Sequence, residues 1–273
     1  MRLLLPGGEI IGETENDTEN AQPKKKAKRK PPAEVFRVAK NDVKVDDTSP
    51  GILSPIAARI LMKTLYGARM ARFDLLRPIC HLACYVTKWT VECDRKLHRL
   101  MCYVHSTLHQ RLVGWVGDDI SDIEPHLLAD ADLGGCVRTQ RSTSGAYLCM
   151  RGPRTCFPIA AGSKRQGCVV LSTSEAELCA AFFALRMYGV PAVQFWSTVL
   201  ERENLILRFH EDNQTMIRVM QTGRNFAMRY ATRTLRLPIA WMHERFKAGD
   251  IAIQYEISAR MAADIFTKAF LGC

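Results

Sequence analysis

The residues best suited to chemistry lie in the segment Leu171–Ala181, where two glutamates follow a run of small hydroxyl residues. Ser172 or Thr173 can cap the start of a helix, and Glu175 then has the spacing of a capping box. Glu177 has no such explanation, because it lies one turn into an otherwise apolar helix pattern. A second acid at that point is either a solvated flank of the helix or a ligand for a metal ion.

Three further acids stand at the predicted ends of strands and helices. Asp130 lies at the end of a first strand, Asp212 follows a fourth strand, and Asp264 lies in the first turns of a final helix. In α/β sheets, functional sites form where strand ends meet helix starts. Carboxylates that converge there repel one another unless hard cations bind, and Mg²⁺ prefers oxygen ligands. Two ions about 3.5–4 Å apart can hold a phosphate and activate a water. Spacing alone leaves open whether these acids converge.

The elements that must position these acids follow from hydrophobic periodicity. Strands are predicted at about 127–132, 145–150, 156–161, 205–210 and 251–255, and helices at about 174–200, 213–220, 233–247 and 261–270. Pro191 predicts a break or kink in the first of these helices. This order of elements implies an α/β fold, in which helices pack against a mixed sheet.

The first 115 residues divide into two regions. Residues 1–50 are polar and aperiodic, which predicts a disordered basic tail. The run Lys24–Lys30 in this tail is either a nuclear-import signal, a nucleic-acid tether or a solvated linker. Residues 51–115 show helical periodicity and an excess of Lys and Arg. We therefore predict a tail at 1–50, a helical segment at 51–115 and an α/β domain at 120–273.

Composition indicates an intracellular protein with a polyanionic partner. The chain has 273 residues, 47% of them hydrophobic, and a net charge of +10. This charge favours nucleic acid as a partner, although solubility alone also requires charge. The ten cysteines show no metal-type Cys-x-x-Cys pattern, which is typical of reduced thiols. No apolar run reaches the roughly 20 residues of a membrane span, so no membrane association is expected.

From about residue 126, the chain resembles the ribonuclease H domain of copia-type retrotransposon Pol polyproteins. The stretches that carry the resemblance occur in the family's order. They are Ala129-Asp-Ala-Asp132, Arg141-Ser-Thr-Ser-Gly145, Leu171-Ser-Thr-Ser-Glu-Ala-Glu-Leu178, Glu211-Asp-Asn-Gln214 and Ala263-Asp-Ile-Phe-Thr-Lys268. The segment from Leu65 to Leu108 resembles the connection between reverse transcriptase and ribonuclease H in the same polyproteins.

The resemblance implies a ribonuclease H-like fold, with a five-stranded mixed sheet flanked by helices. It also implies hydrolysis of the RNA strand of RNA–DNA hybrids with two Mg²⁺ ions, or with Mn²⁺ in their place. The family's catalytic and metal-binding acids match Asp130, Glu177, Asp212 and Asp264. Asp130 is a better match than Asp132, because it lies nearer the apolar strand. The implied nucleic-acid contacts are Ser142, Thr143, Asn213 and Gln214.

The chain departs from the family pattern at two places. Leu235-Arg236 follow Arg233-Thr234 where the family has Lys-His, so the nearest histidine is His243, and Leu133 replaces an aromatic residue. These departures keep open a second hypothesis, a catalytically silent domesticated module that binds nucleic acid or protein. Polymerase activity is not expected, because the residues before 115 are too few to form palm and fingers.

Overall fold

Five strands form one mixed sheet in a computed structural model that describes residues 49–136, 138–224 and 238–268. The strands are β1 (Glu124–Ala131), β2 (Thr143–Gly152), β3 (Thr155–Arg165), β4 (Leu207–Glu211) and β5 (Ile251–Tyr255). Residues 1–48 of the basic tail predicted at 1–50, and the departure at Arg233–Arg236, lie outside the described residues.

The sheet order is β3-β2-β1-β4-β5. Strand β2 runs antiparallel to β1 and β3, whereas β1, β4 and β5 are parallel. This is the five-stranded mixed sheet that the resemblance implies, so the predicted α/β, ribonuclease H-like fold is confirmed. Because β1 and β4 are parallel neighbours, their carboxyl ends lie at the same edge of the sheet. Asp130 near the end of β1 and Asp212 just after β4 are therefore brought to one place.

Seven α-helices surround the sheet within the described ranges. They are α1 (Ser54–Ala71), α2 (Leu76–Ala83), α3 (Val91–Ser106), α4 (Thr173–Ala184), α5 (Val190–Val199), α6 (Gln214–Thr222) and α7 (Ile239–Ala248). The α-helix predicted at 261–270 is wrong in type, because its described part contains only the 3-10 helix Ala262–Phe266. The carbonyl oxygens of Phe266 and Thr267 instead accept hydrogen bonds from Ser163 Oγ (2.6 Å) and Arg77 Nε (2.8 Å).

A π-helical turn, Leu185–Gly189, joins α4 to α5. Pro191 lies in the first turn of α5, where the sequence predicted a break or kink. Proline has no N–H to donate, and the wider π turn before it accommodates the lost helical bond. Gly189 allows this turn to approach the sheet closely, since a Cβ there would lie only 2.8 Å from Leu207 Cδ2.

The combined helical stretch Thr173–Val199 is long and apolar enough to cross a membrane by length and composition. This differs from the sequence prediction that no apolar run reaches the length of a membrane span; the stretch includes the charged residues Glu175, Glu177 and Arg186. In this structure Leu178 and Leu185 of the stretch are fully buried against the sheet. A buried core helix can have the same length and composition as a membrane span. These two properties therefore do not show whether the stretch crosses a membrane.

Both faces of the sheet are covered by helices. Leu127 and Ala129 of β1 pack with α4, α6 and α7 on one face. Leu128 packs on the other face with α1, α2, α3 and Phe266. This division follows from the alternation of side chains along a strand. The helical segment therefore shares a hydrophobic core with the sheet, and the predicted boundary between 115 and 120 stays a prediction.

Candidate active site

Three of the four predicted acids meet at the edge of the sheet. Each of Asp130, Glu177 and Asp212 offers a carboxylate oxygen, and these oxygens lie within 4.8 Å of one another. The three residues come from β1, from α4 and from the turn after β4. Glu177 is 3% exposed, and its Oε2 has no hydrogen-bond partner among the residues that the structure describes. Of the two alternatives that the sequence left for Glu177, a solvated flank is excluded by this burial.

The cap of α4 sets the position of Glu177. Ser172 Oγ accepts a hydrogen bond from the Glu175 backbone N–H (3.3 Å), and Glu175 Oε2 accepts one from the Leu171 N–H (2.8 Å). The first bond satisfies one of the free N–H groups at the helix start, and the second ties Glu175 back to the residue before the N-cap. The two glutamates differ in role as predicted, since Glu175 closes the cap and Glu177 lies in the acid group.

Two hydrogen bonds hold the turn that carries Asp212. Ser258 Oγ donates to Asp212 Oδ2 (2.7 Å), and Asn213 Oδ1 accepts from the Met216 N–H (3.0 Å) as the N-cap of α6. Ser174 Oγ also donates to Asn213 Oδ1 (3.4 Å). This last bond links the starts of α4 and α6, so Glu177 and Asp212 are held by connected elements.

Asp264 lies beside the three-acid group but is not a member of it. Its Oδ2 accepts a hydrogen bond from Lys268 Nζ, and its Oδ1 is buried without a hydrogen-bond partner in the described part of the chain. After burial itself, the negative charge of Asp264 is a further cause that raises the pKa of Asp130. The structure thus places Asp264 near Asp130 with a lysine ammonium already paired to it.

Gly145 explains how the segment Ala262–Lys268 approaches Asp130. It pairs directly opposite Asp130 in the β1–β2 ladder. A Cβ at Gly145 would lie 2.7 Å from the Ala263 carbonyl oxygen and 2.8 Å from Thr267 Cγ2. The absence of a side chain lets Thr267 reach Asp130 Oδ2 and donate a hydrogen bond from its hydroxyl. Thr267 is fully buried, and sequence reasoning gave it no role beyond the motif.

Asp132 has a structural role that separates it from Asp130. Its Oδ1 accepts a hydrogen bond from the Thr143 N–H, and its Oδ2 lies 3.6 Å from Arg77 Nη2. These contacts close the connection between β1 and β2 and join it to α2. The choice of Asp130 over Asp132 as the site residue agrees with this placement.

Burial and mutual repulsion shape the charges of the group. Burial, followed by the charges of Asp264 and Asp212, raises the pKa of Asp130 to about 6, while the Thr267 hydrogen bond opposes the rise. Burial, followed by the charges of Glu211, Asp130 and Asp212, raises the pKa of Glu177 to about 10. Without cations, the environment of Asp130 and Glu177 therefore disfavours the ionised form of these two carboxyls.

Glu211 is the site residue that sequence reasoning missed. It is 0% exposed, and its Oε1 accepts a hydrogen bond from the Asn213 N–H (3.1 Å), while Oε2 has no hydrogen-bond partner within the described ranges. Burial and the charges of Asp212 and Asp130 raise its pKa well above the ordinary value. An acid as the last residue of an apolar strand was the signal that could have identified it, because such a position is buried whenever the strand is central.

The predicted nucleic-acid contacts divide into two pairs. Ser142 is 0% exposed, with its hydroxyl accepting from the Gly134 N–H (3.0 Å), and Thr143 is also buried. Direct contact of these two side chains with nucleic acid stays a prediction that their burial does not support. Gln214 is exposed at the start of α6, and Asn213 beside it is half-buried.

His243, the histidine nearest to the altered motif, bonds within the fold. Its Nδ1 lies 2.9 Å from the Met220 carbonyl oxygen, and its ring packs where a Cβ of Gly223 would be. This contact joins α7 to α6, which is a structural role.

The donor set fits a hard divalent cation. All the converging ligands are carboxylate oxygens, which Mg²⁺ and Mn²⁺ prefer over nitrogen or sulfur. Oxygens on opposite sides of one Mg²⁺ are roughly 4 Å apart, close to the spread of this group. The buried, unpartnered Glu177 Oε2 also lacks the hydrogen bond that buried polar atoms ordinarily have. A cation held by Asp130, Glu177 and Asp212 would supply that partner.

The variant Glu177→Gln is expected to be more stable than the wild type at pH 8 in a chelator. A carboxyl whose pKa rises from an unfolded value of about 4.3 to about 10 on folding contributes stability below pH 4. That contribution is lost as pH rises, because the folded state must hold a proton that the unfolded state releases. We expect a melting temperature higher by roughly 2–4 °C or more at pH 8, and no difference near pH 4.

Thermal unfolding in EDTA across pH 4–8 measures this effect. The control is Glu203→Gln, which removes an exposed acid. Equal pH dependence of the wild type and Glu177→Gln would contradict a strongly buried carboxyl at this position.

The fold and the acid group define a ribonuclease H-like α/β domain, and solved structures of that class are similar to this chain. Ribonuclease H1 of Halobacterium salinarum shares 16% identity, with 53% of this chain and 94% of that chain covered and a TM-score of 0.37. LC11 ribonuclease H1 from compost shares 14%, with 53% and 92% covered and a TM-score of 0.38. A foamy viral protease–reverse transcriptase in complex with dsDNA shares 13%, with 56% and 96% covered and a TM-score of 0.31.

No family model and no curated protein matches the chain. The structural similarities do not confirm the copia-type resemblance, which stays a proposal.

Proposed function

We propose that this chain is a metal-dependent endonuclease that hydrolyses the RNA strand of RNA–DNA hybrids, derived from a copia-type retrotransposon. The observation that carries the proposal is the convergence of Asp130, Glu177 and Asp212 from three separate elements to within 4.8 Å. Three buried or half-buried acids repel one another when they are ionised, and bound divalent cations would neutralise this repulsion. Phosphodiester hydrolysis is the chemistry that such cations support on a polyanion.

Each residue of the site has a defined task in this mechanism. Two bound Mg²⁺ ions would polarise the scissile phosphate and lower the pKa of a water molecule. Asp130, Glu177 and Asp212 would hold these ions, with Asp264 nearby. Thr267 and Ser258 fix the rotamers of Asp130 and Asp212 through their hydroxyl groups. Glu211 holds the backbone of Asn213 and thereby the turn that presents Asp212.

The charge of the chain suits a nucleic-acid partner. The net charge of +10 favours a polyanion and predicts an affinity that falls steeply as salt rises. Helices of A-like geometry hide their major groove, so a hybrid would be recognised by shape and by 2′-hydroxyl groups. Localisation inside the cell, with nuclear import through Lys24–Lys30, belongs to the same proposal.

One observation favours the second candidate, a catalytically silent module that binds nucleic acid or protein. The Lys268 ammonium is paired with Asp264, and the acids around it raise its pKa. An ammonium at this point compensates part of the negative charge that divalent cations would otherwise balance. In a silent module, this pair would keep the acid group stable without ions.

Cleavage of an end-labelled RNA–DNA hybrid tests the proposal. We expect cleavage of the RNA strand in Mg²⁺ or Mn²⁺ and none in EDTA, with single-stranded RNA, double-stranded RNA and double-stranded DNA of the same sequence left intact. Binding of the hybrid without cleavage in either metal would instead support the silent module. Cleavage that persists in EDTA would contradict a role for the acid group.

A further inference from the structure

An open groove of about 480 Å³ lies between α6 and the end of β5. Its walls are formed by Gln214, Ile217, Arg218, Gln221 and Thr222 of α6 and by Tyr255 of β5. Gln214 follows Asp212 by two residues, and Tyr255 precedes Ser258, the hydrogen-bond partner of Asp212, by three. Two of its walls are thus close in sequence to Asp212 and to its hydrogen-bond partner, and its volume is in the range of small-ligand sites, about 300–1,000 Å³.

The outward face of α6 gives the groove a positive wall. The helix buries Met216, Val219 and Met220 in the core, so the opposite face is turned to solvent. Gln214, Arg218 and Gln221 lie on this outward face at helical spacing. Arg218 forms no ion pair with any residue that the structure describes, and no acid lines the groove. A free guanidinium of this kind binds phosphate oxygens through paired N–H groups.

Tyr255 gives the groove an aromatic wall. It is the last residue of β5, and 55% of its surface is exposed. An exposed ring beside a guanidinium is the combination on which the bases of single-stranded nucleic acids stack. A duplex buries the faces of its bases between neighbouring pairs, so only an unpaired nucleotide offers a free face to this ring. The amide groups of Gln214 and Gln221 can hydrogen-bond the edges of such a base.

From these observations, and resting on the function proposed above, we propose that the groove between α6 and β5 binds an unpaired nucleotide of a strand that extends beyond the hybrid. Its base stacks on Tyr255 and its phosphate pairs with Arg218. The bound substrate is then a hybrid with a single-stranded extension, held next to the site of cleavage, and a blunt hybrid lacks this contact.

Binding measured by fluorescence anisotropy in EDTA tests the proposal without cleavage. The labelled substrates are a blunt RNA–DNA hybrid and a set of the same hybrid that carries a short single-stranded extension at each end in turn. The wild type is expected to bind one extended hybrid roughly tenfold more tightly than the blunt one. Tyr255→Ala and Arg218→Ala are expected to remove this gain and to bind the blunt hybrid as the wild type does, whereas Tyr255→Phe keeps the gain.

Tyr66→Ala is the matched control, since Tyr66 is an exposed tyrosine on α1. It is expected to leave the gain unchanged. A wild type that binds blunt and extended hybrids equally, or a Tyr255→Ala variant that keeps the full gain, overturns the proposal. The second result is also the one expected if the groove instead receives a protein segment.

Photocrosslinking separates this proposal from the proposed hydrolysis. With 4-thiouridine in the extension, the peptide that contains Tyr255 is expected to carry the crosslink, and crosslinks confined to other peptides overturn the proposal. A protein that shows the crosslink and the gain in affinity but never cleaves would refute hydrolysis alone. A protein that cleaves the blunt hybrid but shows neither the crosslink nor the gain in affinity would refute only the proposed nucleotide binding in the groove.

Discussion

Replacing Asp212 by asparagine is expected to lower the rate of hybrid cleavage about a thousandfold or more. Stabilisation by a bound metal ion contributes several kcal/mol to the transition state, and about 4 kcal/mol corresponds to a factor of about a thousand. The asparagine side chain would keep one oxygen that accepts the Ser258 hydrogen bond, so the turn after β4 is retained. The loss is therefore expected in cleavage and not in folding.

Three measurements distinguish a loss of cleavage from a loss of folding or of substrate binding. Single-turnover cleavage gives the rate, thermal unfolding in EDTA gives the stability, and anisotropy gives the affinity for the hybrid. Asp119→Asn is the control, because Asp119 is an exposed acid in the loop before β1. A cleavage rate for Asp212→Asn within tenfold of the wild type, at unchanged stability, would remove Asp212 from the proposed metal site.

The variant Gly145→Ala is expected to lose both stability and cleavage activity. The added Cβ would lie 2.7 Å from the Ala263 carbonyl oxygen, 2.8 Å from Thr267 Cγ2 and 3.1 Å from Phe266 Cβ. A backbone oxygen cannot move aside as a flexible side chain can, so the segment Ala262–Lys268 must shift. Overpacking of this kind costs about 1–3 kcal/mol. Thr267 would then release Asp130, and we expect cleavage to fall more than tenfold, as misplacement of about 1 Å does in other sites.

Gly67→Ala is the matched control for this variant. Gly67 lies in α1 with nothing within 4 Å of an added Cβ. Alanine in an exposed helix is favoured over glycine by about 0.5–1 kcal/mol, so this change is expected to stabilise the protein. Thermal unfolding and cleavage well below the melting temperature measure both variants. A Gly145→Ala protein as stable and as active as the wild type would show that the close approach at Gly145 does not position the site.

The strands and most helices were predictable because their signals are local. Burial leaves a period of two in strands and of 3.6 in helices, and all five strands were found at or near their predicted positions. The cap at Ser172 and the interruption near Pro191 were also readable, because each depends on residues adjacent in the chain. The α-helix predicted at 261–270 was wrong in type, and carbonyl groups at the end of the observed 3-10 helix bind Arg77 and Ser163, which are distant in sequence.

The sequence by itself determined the alternation of strands and helices, the helix caps, and the presence of acids at element ends, because each of these is local. Only the tertiary structure decided which acids meet. Asp130 and Asp212 come together because β4 inserts beside β1 in parallel, a pairing between residues about 80 positions apart. The packing of the fold also places Asp264 outside the three-acid group and buries Glu211 and Ser142. The convergence of the acids depends on strand pairing between distant residues and on burial, and local periodicity contains no information on either.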